Sequence, residues 1–326
     1  MILDIARHKF YEALLVVALL ALFGVVSGYL LADDVLAHAT LATAPLQPLL
    51  HRFSLAHPAL AAVLSFVLIV ATSLRLTRST IVHSLFQMSS LSTMSLSAVV
   101  ILGLGLHGNI LANLVVAYLA SEALHRICYC VAPTPKLHYL FTAFMALGAM
   151  PLVDSSMLAP ALVAPVVIML SRKKPREVVV ALLGLITPLF AYSYICWVEG
   201  STFFGGFATI WQGMLTPSAL ADGNYRSLPR LIMLGAVAFV QICTSLIYFN
   251  DRLSISLISR EIWKMLQTIV LLFTLCFVVL PSTTAASFLV VGLCISVMSP
   301  LLFTKFTGSI SMTAFYLLLG IAMWSI

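Results

Sequence analysis

Residues 13–31 read ALLVVALLALFGVVSGYLL, and residues 231–249 read LIMLGAVAFVQICTSLIYF. Neither stretch carries a charge, and neither alternates polar with apolar positions. At 1.5 Å of rise per residue, nineteen residues make a helix about 28 Å long, close to the thickness of a bilayer's hydrocarbon core. A barrel strand would instead show about ten residues of alternating polarity. Lipid offers no partner to backbone N–H and C=O groups, so a segment of this kind must satisfy them within a helix. Working outward, similar blocks lie near 58–74, 83–106, 108–128, 138–153, 155–170, 178–198, 265–281, 283–303 and 307–326. The pattern predicts an all-α, polytopic transmembrane bundle of about 11 spans, with 1–326 as a single integral membrane domain. The 83–106 block is the weakest, because Ser84, Ser89, Ser90, Ser92, Ser95 and Ser97 interrupt it.

Composition agrees with the pattern. Of 326 residues, 62% are apolar and only 9% charged. A soluble domain of this size carries about a quarter charged residues. A disordered chain would need low hydrophobicity and high charge, the reverse of what is found. The first apolar block also exceeds the length of a signal-peptide core, so Ala37-His38-Ala39 is read as a loop and not as a cleavage site.

Basic residues set the orientation, because short cytoplasmic loops collect them. With the N-terminus inside, the inner segments hold Arg7, Lys9, Arg75, Arg78, Arg126, Lys136, Arg172, Lys173, Lys174, Arg176, Arg252, Arg260, Lys264 and Lys305. The outer segments hold only Arg52, Arg226 and Arg230. The reading is therefore N-in and C-out, in the inner membrane of a bacterium. The formal net charge of +6 belongs to this topology signal and to anionic headgroups, not to nucleic acid. The six cysteines show no metal-ligand spacing and read as packing residues.

Two connections are long, near 33–57 and 199–230, and both face outward. The first holds Asp33, Asp34, His38, His51, Arg52 and His57; the second holds Glu199, Asp222, Arg226 and Arg230. The second also carries an apolar run from Phe203 to Trp211, which fits a juxtamembrane helix or re-entrant piece. Asp154 lies in a short outer turn. Apart from Glu122, no ionisable group sits well inside a predicted span, and Arg126 four residues on gives Glu122 an ion-pair partner. Asn109, Asn113, Gln241 and Gln267 are expected to hydrogen-bond neighbouring helices. The histidines lack the close helical spacing of a metal site, and no phosphate-binding glycine loop or nucleophile elbow is present. No cofactor is named by these residues.

Asp33-Asp34 directly follows the first span, where carboxylates oppose the negative end of a helix dipole. Asp34 as N-cap of a short helix through Leu41 is one reading of that placement. The pair also resembles the acidic motif in the first outer loop of lipid-sugar-dependent glycosyltransferases of the GT-C superfold. That resemblance implies an outer-face site using polyprenyl-phosphate sugars, with Asp33 or Asp34 as the base on the acceptor or a holder of metal. Arg226 or Arg230 would then hold the donor phosphate, since a planar guanidinium matches phosphate oxygens. Asp154 is a further candidate for substrate binding.

A second stretch, Tyr139 to Val198, contains Leu147-Gly148, Pro151, Asp154, Arg176-Glu177, Leu183-Gly184-Leu185 and Pro188. It resembles an uncharacterised family of polytopic inner-membrane proteins of Bacteroidetes, associated with envelope-building genes. The resemblance implies a glycan or lipid role and no particular active-site residue. In physical terms, Gly184 allows close approach of a neighbouring helix.

Two functions of different class fit this sequence. The first is an envelope enzyme or assembly factor handling lipid-linked sugars at the outer face, with lipid-linked sugar or envelope-assembly proteins as partners beside the bilayer. The second is non-catalytic: a small-solute facilitator, or a membrane subunit packed against a partner. A facilitator requires a continuous polar path between helices; the enzyme requires Asp33 or Asp34 to share an outward-opening cavity with an outer arginine.

Overall fold

The computed structural model describes residues 10–30, 44–86, 91–106, 108–130, 137–172, 175–216, 227–252, 255–306 and 308–326. Over these the chain is all-helical, with no strand. The helices are α1 (Phe10–Leu30), α2 (Gln47–Ala56), α3 (Pro58–Val82), α4 (Ser92–Gly105), α5 (Ile110–Cys130), α6 (Leu137–Val153) and α7 (Leu158–Arg172). There follow α8 (Pro175–Val198), α9 (Gly205–Leu215), α10 (Leu228–Asp251), α11 (Leu257–Val279), α12 (Ala285–Met298), α13 (Pro300–Lys305) and α14 (Gly308–Ser325).

Among the described residues, seven segments are long and apolar enough to cross a membrane: 10–29, 58–82, 110–130, 175–198, 228–251, 257–279 and 285–305. Four shorter apolar helices cover 92–105, 137–153, 155–166 and 309–325. The chain has the build of a multi-pass membrane protein. Its outer surface agrees, since Leu19, Val63, Val67, Phe239, Leu246 and Val278 are large, apolar and exposed. In water such a surface would drive association; against lipid tails it is the ordinary one.

The middle of the bundle is built from α4, α5 and α12. Every residue of α4 is buried, and α12 is buried almost throughout. Helices α1, α3, α12 and α14 all pack on α4. A helix enclosed on all sides has no need of an amphipathic stripe, which explains why α4 reads as uniformly apolar with serines scattered through it.

Helix boundaries depart from the sequence reading in three places. Helix α3 continues past residue 74 to Val82, so Arg75 and Arg78 lie on a helix and not in a loop. Thr77 Oγ1 donates to Ser73 O and Thr80 Oγ1 to Thr77 O, returning the hydroxyls to their own backbone. The weak half of the 83–106 block is not helical over residues 83–86, where Ser84 adopts φ +45°, and helix resumes at Ser92. Helix α11 begins two turns before residue 265, because Ser256 caps it by accepting the Ser259 N–H.

A very close helix crossing joins α6 to α8. A Cβ on Gly148 would stand 2.2 Å from the Leu185 carbonyl oxygen, and one on Gly184 would stand 2.4 Å from that of Phe141. Both obstacles are backbone, so only glycine permits this approach. The run after Phe203 forms α9, whose Ile210 and Met214 are buried against Leu158 and Leu189 while Phe204, Trp211 and Leu215 stay exposed. All six cysteines are free thiols.

Candidate functional site

Of the candidate residues in the two long connections, Asp33, Asp34 and Arg226 lie outside the described residues. Arg230 is half-buried in the first turn of α10. Asp154 is buried at 5% exposure between α6 and α7. Its Oδ1 accepts the Ser156 N–H at 3.0 Å, and its Oδ2 accepts the Thr284 hydroxyl at 2.5 Å. Ser156 Oγ in turn lies 3.1 Å from Ser287 Oγ. Thr284 and Ser287 form the capping box of α12, so Asp154 ties the α6–α7 turn to the start of a central helix. Burial raises the Asp154 carboxyl above its ordinary pKa, while the hydrogen bonds from Thr284 and Ser156 oppose that rise.

The described part of the first long connection reaches this turn. Leu46 N–H donates to Leu152 O at 2.8 Å, and Asn109 Nδ2 donates to the Gln47 carbonyl. The loop that follows Asp33-Asp34 is thereby fastened two residues from Asp154. No hydrogen bond of Asp154 runs to Arg230 among the described residues.

A second polar cluster gathers between α3 and α5, about two turns before their C-terminal ends. Arg75 Nε lies 2.7 Å from Glu122 Oε2, with Arg75 Nη2 3.3 Å from Oε1. Arg126 approaches from the same helix as Glu122, with both Nε and Nη2 2.5 Å from Oε1. The expected Glu122–Arg126 pair is therefore half of a three-residue arrangement that spans two helices. The Glu122 side chain is 11% exposed, whereas those of Arg75 and Arg126 are 32% and 30% exposed. The guanidinium groups form the outer boundary of the cluster and the carboxylate its buried centre.

Rings extend the cluster toward the helix ends. His125 is buried one turn along α5, and its Nδ1 has no hydrogen-bond partner. Its ring meets Tyr129 edge-on at 5.1 Å, and His83 meets the same tyrosine at 4.6 Å. Tyr129 stacks on Tyr139 at 5.0 Å, beside His138. His83, beyond the last turn of α3, has its pKa lowered by burial, which favours the neutral imidazole.

Away from those ends, the buried face of α3 is lined with hydroxyls. Ser65, Thr72, Ser73, Thr77, Ser79 and Thr80 are all buried. Thr72 Oγ1 and Ser73 Oγ find no partner, while Ser65 Oγ meets Tyr29 OH of α1 at 3.2 Å. A buried hydroxyl without a partner is uncommon in a folded protein and calls for an explanation. From Ser65 to Thr80 the ladder rises about 22 Å at helical pitch.

The other predicted polar groups are used locally. Asn113 Nδ2 donates to Gly105 O across to α4, as expected of a helix-to-helix contact. Gln241 instead donates within its own helix to Ser245, and Gln267 Nε2 has no partner. A cavity lined by Ala123, Ile127, Phe144, Leu147, Phe273 and Cys294 is apolar throughout, a packing space of the core. Among the described residues, no group of three or more His, Cys, Asp or Glu is placed to hold a metal ion.

Sequence reasoning paired Glu122 with Arg126 but missed Arg75, the ring cluster and the hydroxyl face. One signal was present: Ser65, Thr72 and Ser79 recur at seven-residue spacing, which puts them on one side of a helix. No protein-family model, curated protein or solved structure matches the chain.

Proposed function

We propose that this chain is a facilitator in a bacterial inner membrane, with about 11 spans, its N-terminus inside and its C-terminus outside. Its solute is received at the inner ends of α3 and α5 and moves along the hydroxyl face of α3. The observation that carries this reading is Glu122. A carboxylate inside a membrane-length helix, bracketed by arginines from two helices, is costly to keep and marks a functional position. The unpartnered hydroxyls of Thr72 and Ser73 supply polar stations between that cluster and the outer half of the bundle.

Reconstitution in liposomes tests this. Protein-containing vesicles should admit small polar solutes, glycerol and inorganic phosphate among them, faster than protein-free vesicles. The double substitution Thr72→Val and Ser73→Ala should lower that rate several-fold with little change in folding, since neither hydroxyl has a partner to lose. Equal rates in wild-type, variant and empty vesicles would rule out the facilitator.

A second reading is the polyprenyl-phosphate-sugar-dependent transferase, or an assembly factor acting on such lipids in envelope biogenesis. It is favoured by the fastening of the first outer loop beside Asp154, through the Leu46–Leu152 hydrogen bond. Here Asp33 and Asp34 act on the acceptor or hold a metal, with Arg226 and Arg230 on the phosphate and Asp154 beside them. Cells carrying only the Asp33→Ala, Asp34→Ala protein should lose envelope glycan. Unaltered glycan at normal expression would dispose of this role.

A further inference from the structure

We infer that Arg75 and Arg126 are the docking point for a phosphate group, and that Glu122 is the internal competitor which that group displaces. The inference rests on the facilitator reading for its site and names the class of ligand that the site takes.

Charge supplies the first argument. Two guanidinium groups share one carboxylate, so the triad carries one net positive charge, and the exposed Arg78 one turn along α3 adds another.

Donors supply the second. A guanidinium offers five N–H groups in a planar fork. Arg75 hydrogen-bonds Glu122 through Nη2 and Arg126 through Nε, while Arg75 Nε and Arg126 Nη2 stand at ion-pair distance from the carboxylate. The Nη1 groups of both have no partner among the described residues. The carboxylate therefore satisfies less than half of the available donors. A phosphate carries about 1.5 to 2 negative charges near neutrality and three acceptor oxygens, against one charge and two oxygens for Glu122. It is the stronger ligand for this pair on both counts. A free carboxylate merely equals Glu122 and has no means of displacing it.

Burial supplies the third. His125 Nδ1 is unpartnered on a residue only 5% exposed, one turn from Glu122 and beside Tyr129. It is a further polar contact already in position at the inner edge of the cluster. The rings of Tyr129, Tyr139, His83 and His138 line the same end of α3, α5 and α6, where amphipathic rings favour headgroup depth. Phosphate chemistry is common to the free anion and to a lipid headgroup, and the binding test distinguishes the two sources.

Equilibrium binding to the purified full-length protein in neutral detergent tests the assignment. The probes are inorganic phosphate, acetate, and phosphatidic acid added in mixed micelles of the same detergent. Wild-type protein should bind one phosphate probe saturably and acetate much more weakly. Glu122→Gln keeps the shape but removes the competing charge, so it should bind the same probe about tenfold more tightly, equivalent to about 1.4 kcal/mol. Arg75→Gln and Arg126→Gln should each weaken it about tenfold. Arg126→Lys, which keeps the charge and loses the fork, should also weaken it, and this variant decides the matter if Glu122→Gln is not monodisperse. Binding of phosphatidic acid without inorganic phosphate assigns the lipid source, and the converse assigns the free anion. Acetate binding as tight as phosphate, absence of saturable binding, or no gain in Glu122→Gln would overturn the inference. Binding without solute flux would remove the facilitator reading alone; flux without phosphate binding would remove this inference alone.

Discussion

Gly184→Val should be among the most damaging single substitutions in the bundle, lowering stability by about 3 kcal/mol or more. Even one added methyl would place a carbon 2.4 Å from the Phe141 carbonyl oxygen and 3.1 Å from the Phe144 Cβ. A side chain can swing aside, but a helix carbonyl cannot, because it is fixed by its own hydrogen-bond ladder. The α6–α8 crossing must therefore open by about 1 Å or more, and the contact is a broad one. Gly148→Val should behave alike, since its added carbon meets the Leu185 carbonyl at 2.2 Å. Both glycines line one crossing, so the double variant should lose much less than twice the single loss once the helices have separated. Thermal unfolding in detergent, followed by helical signal and by aggregation, reads these differences. Gly235→Val is the control, because an added carbon there meets nothing within 4 Å. It should shift the midpoint by much less than Gly184→Val does.

This crossing also illustrates what could be read from the sequence. Gly184 stood out alone as a position of close approach, and Gly148 stood in the same stretch. That the two serve one crossing depends on how α6 and α8 pack, which no local pattern encodes. The same limit applies at the polar cluster. Glu122 and Arg126 lie four residues apart, and helical geometry alone brings them together. Arg75 is 47 positions from Glu122, and ending the second span at residue 74 assigned it to a loop. The error followed from treating a basic residue as the end of a membrane helix. A long guanidinium side chain can remain on a helix if it finds a partner or reaches the surface, and Arg75 does both. The apolar blocks, by contrast, located the helices well, because length and the absence of charge are properties of the segment itself. The serines that interrupt the 83–106 block, Ser92, Ser95 and Ser97, lie on a completely buried helix. Asp33, Asp34 and Arg226 lie outside the described residues, so their candidacy still rests on sequence.

Removing the Glu122 carboxylate should be far more harmful than removing the whole charged cluster. Glu122→Leu leaves Arg75 and Arg126 facing each other across the α3–α5 contact with no anion between them. Breaking a buried pair from one side typically costs about 3–5 kcal/mol. Here the two guanidinium groups are about a third exposed and recover part of their hydration. We therefore expect a loss of about 2–3 kcal/mol. Glu122→Gln should lose less, because the amide oxygen still accepts from one guanidinium and no space is opened. The triple variant Arg75→Met, Glu122→Leu and Arg126→Met should recover most of what Glu122→Leu loses, since apolar side chains of similar volume need no counter-charge. Measured unfolding midpoints in one detergent give the order wild type, triple variant, Glu122→Leu, from most to least stable. If the triple variant were as unstable as Glu122→Leu, the ion triad would be a necessary structural joint. If it folds well but neither binds phosphate nor supports flux, then a dispensable charge has been kept inside a lipid-facing bundle at a cost in stability. That outcome is the behaviour of a functional site.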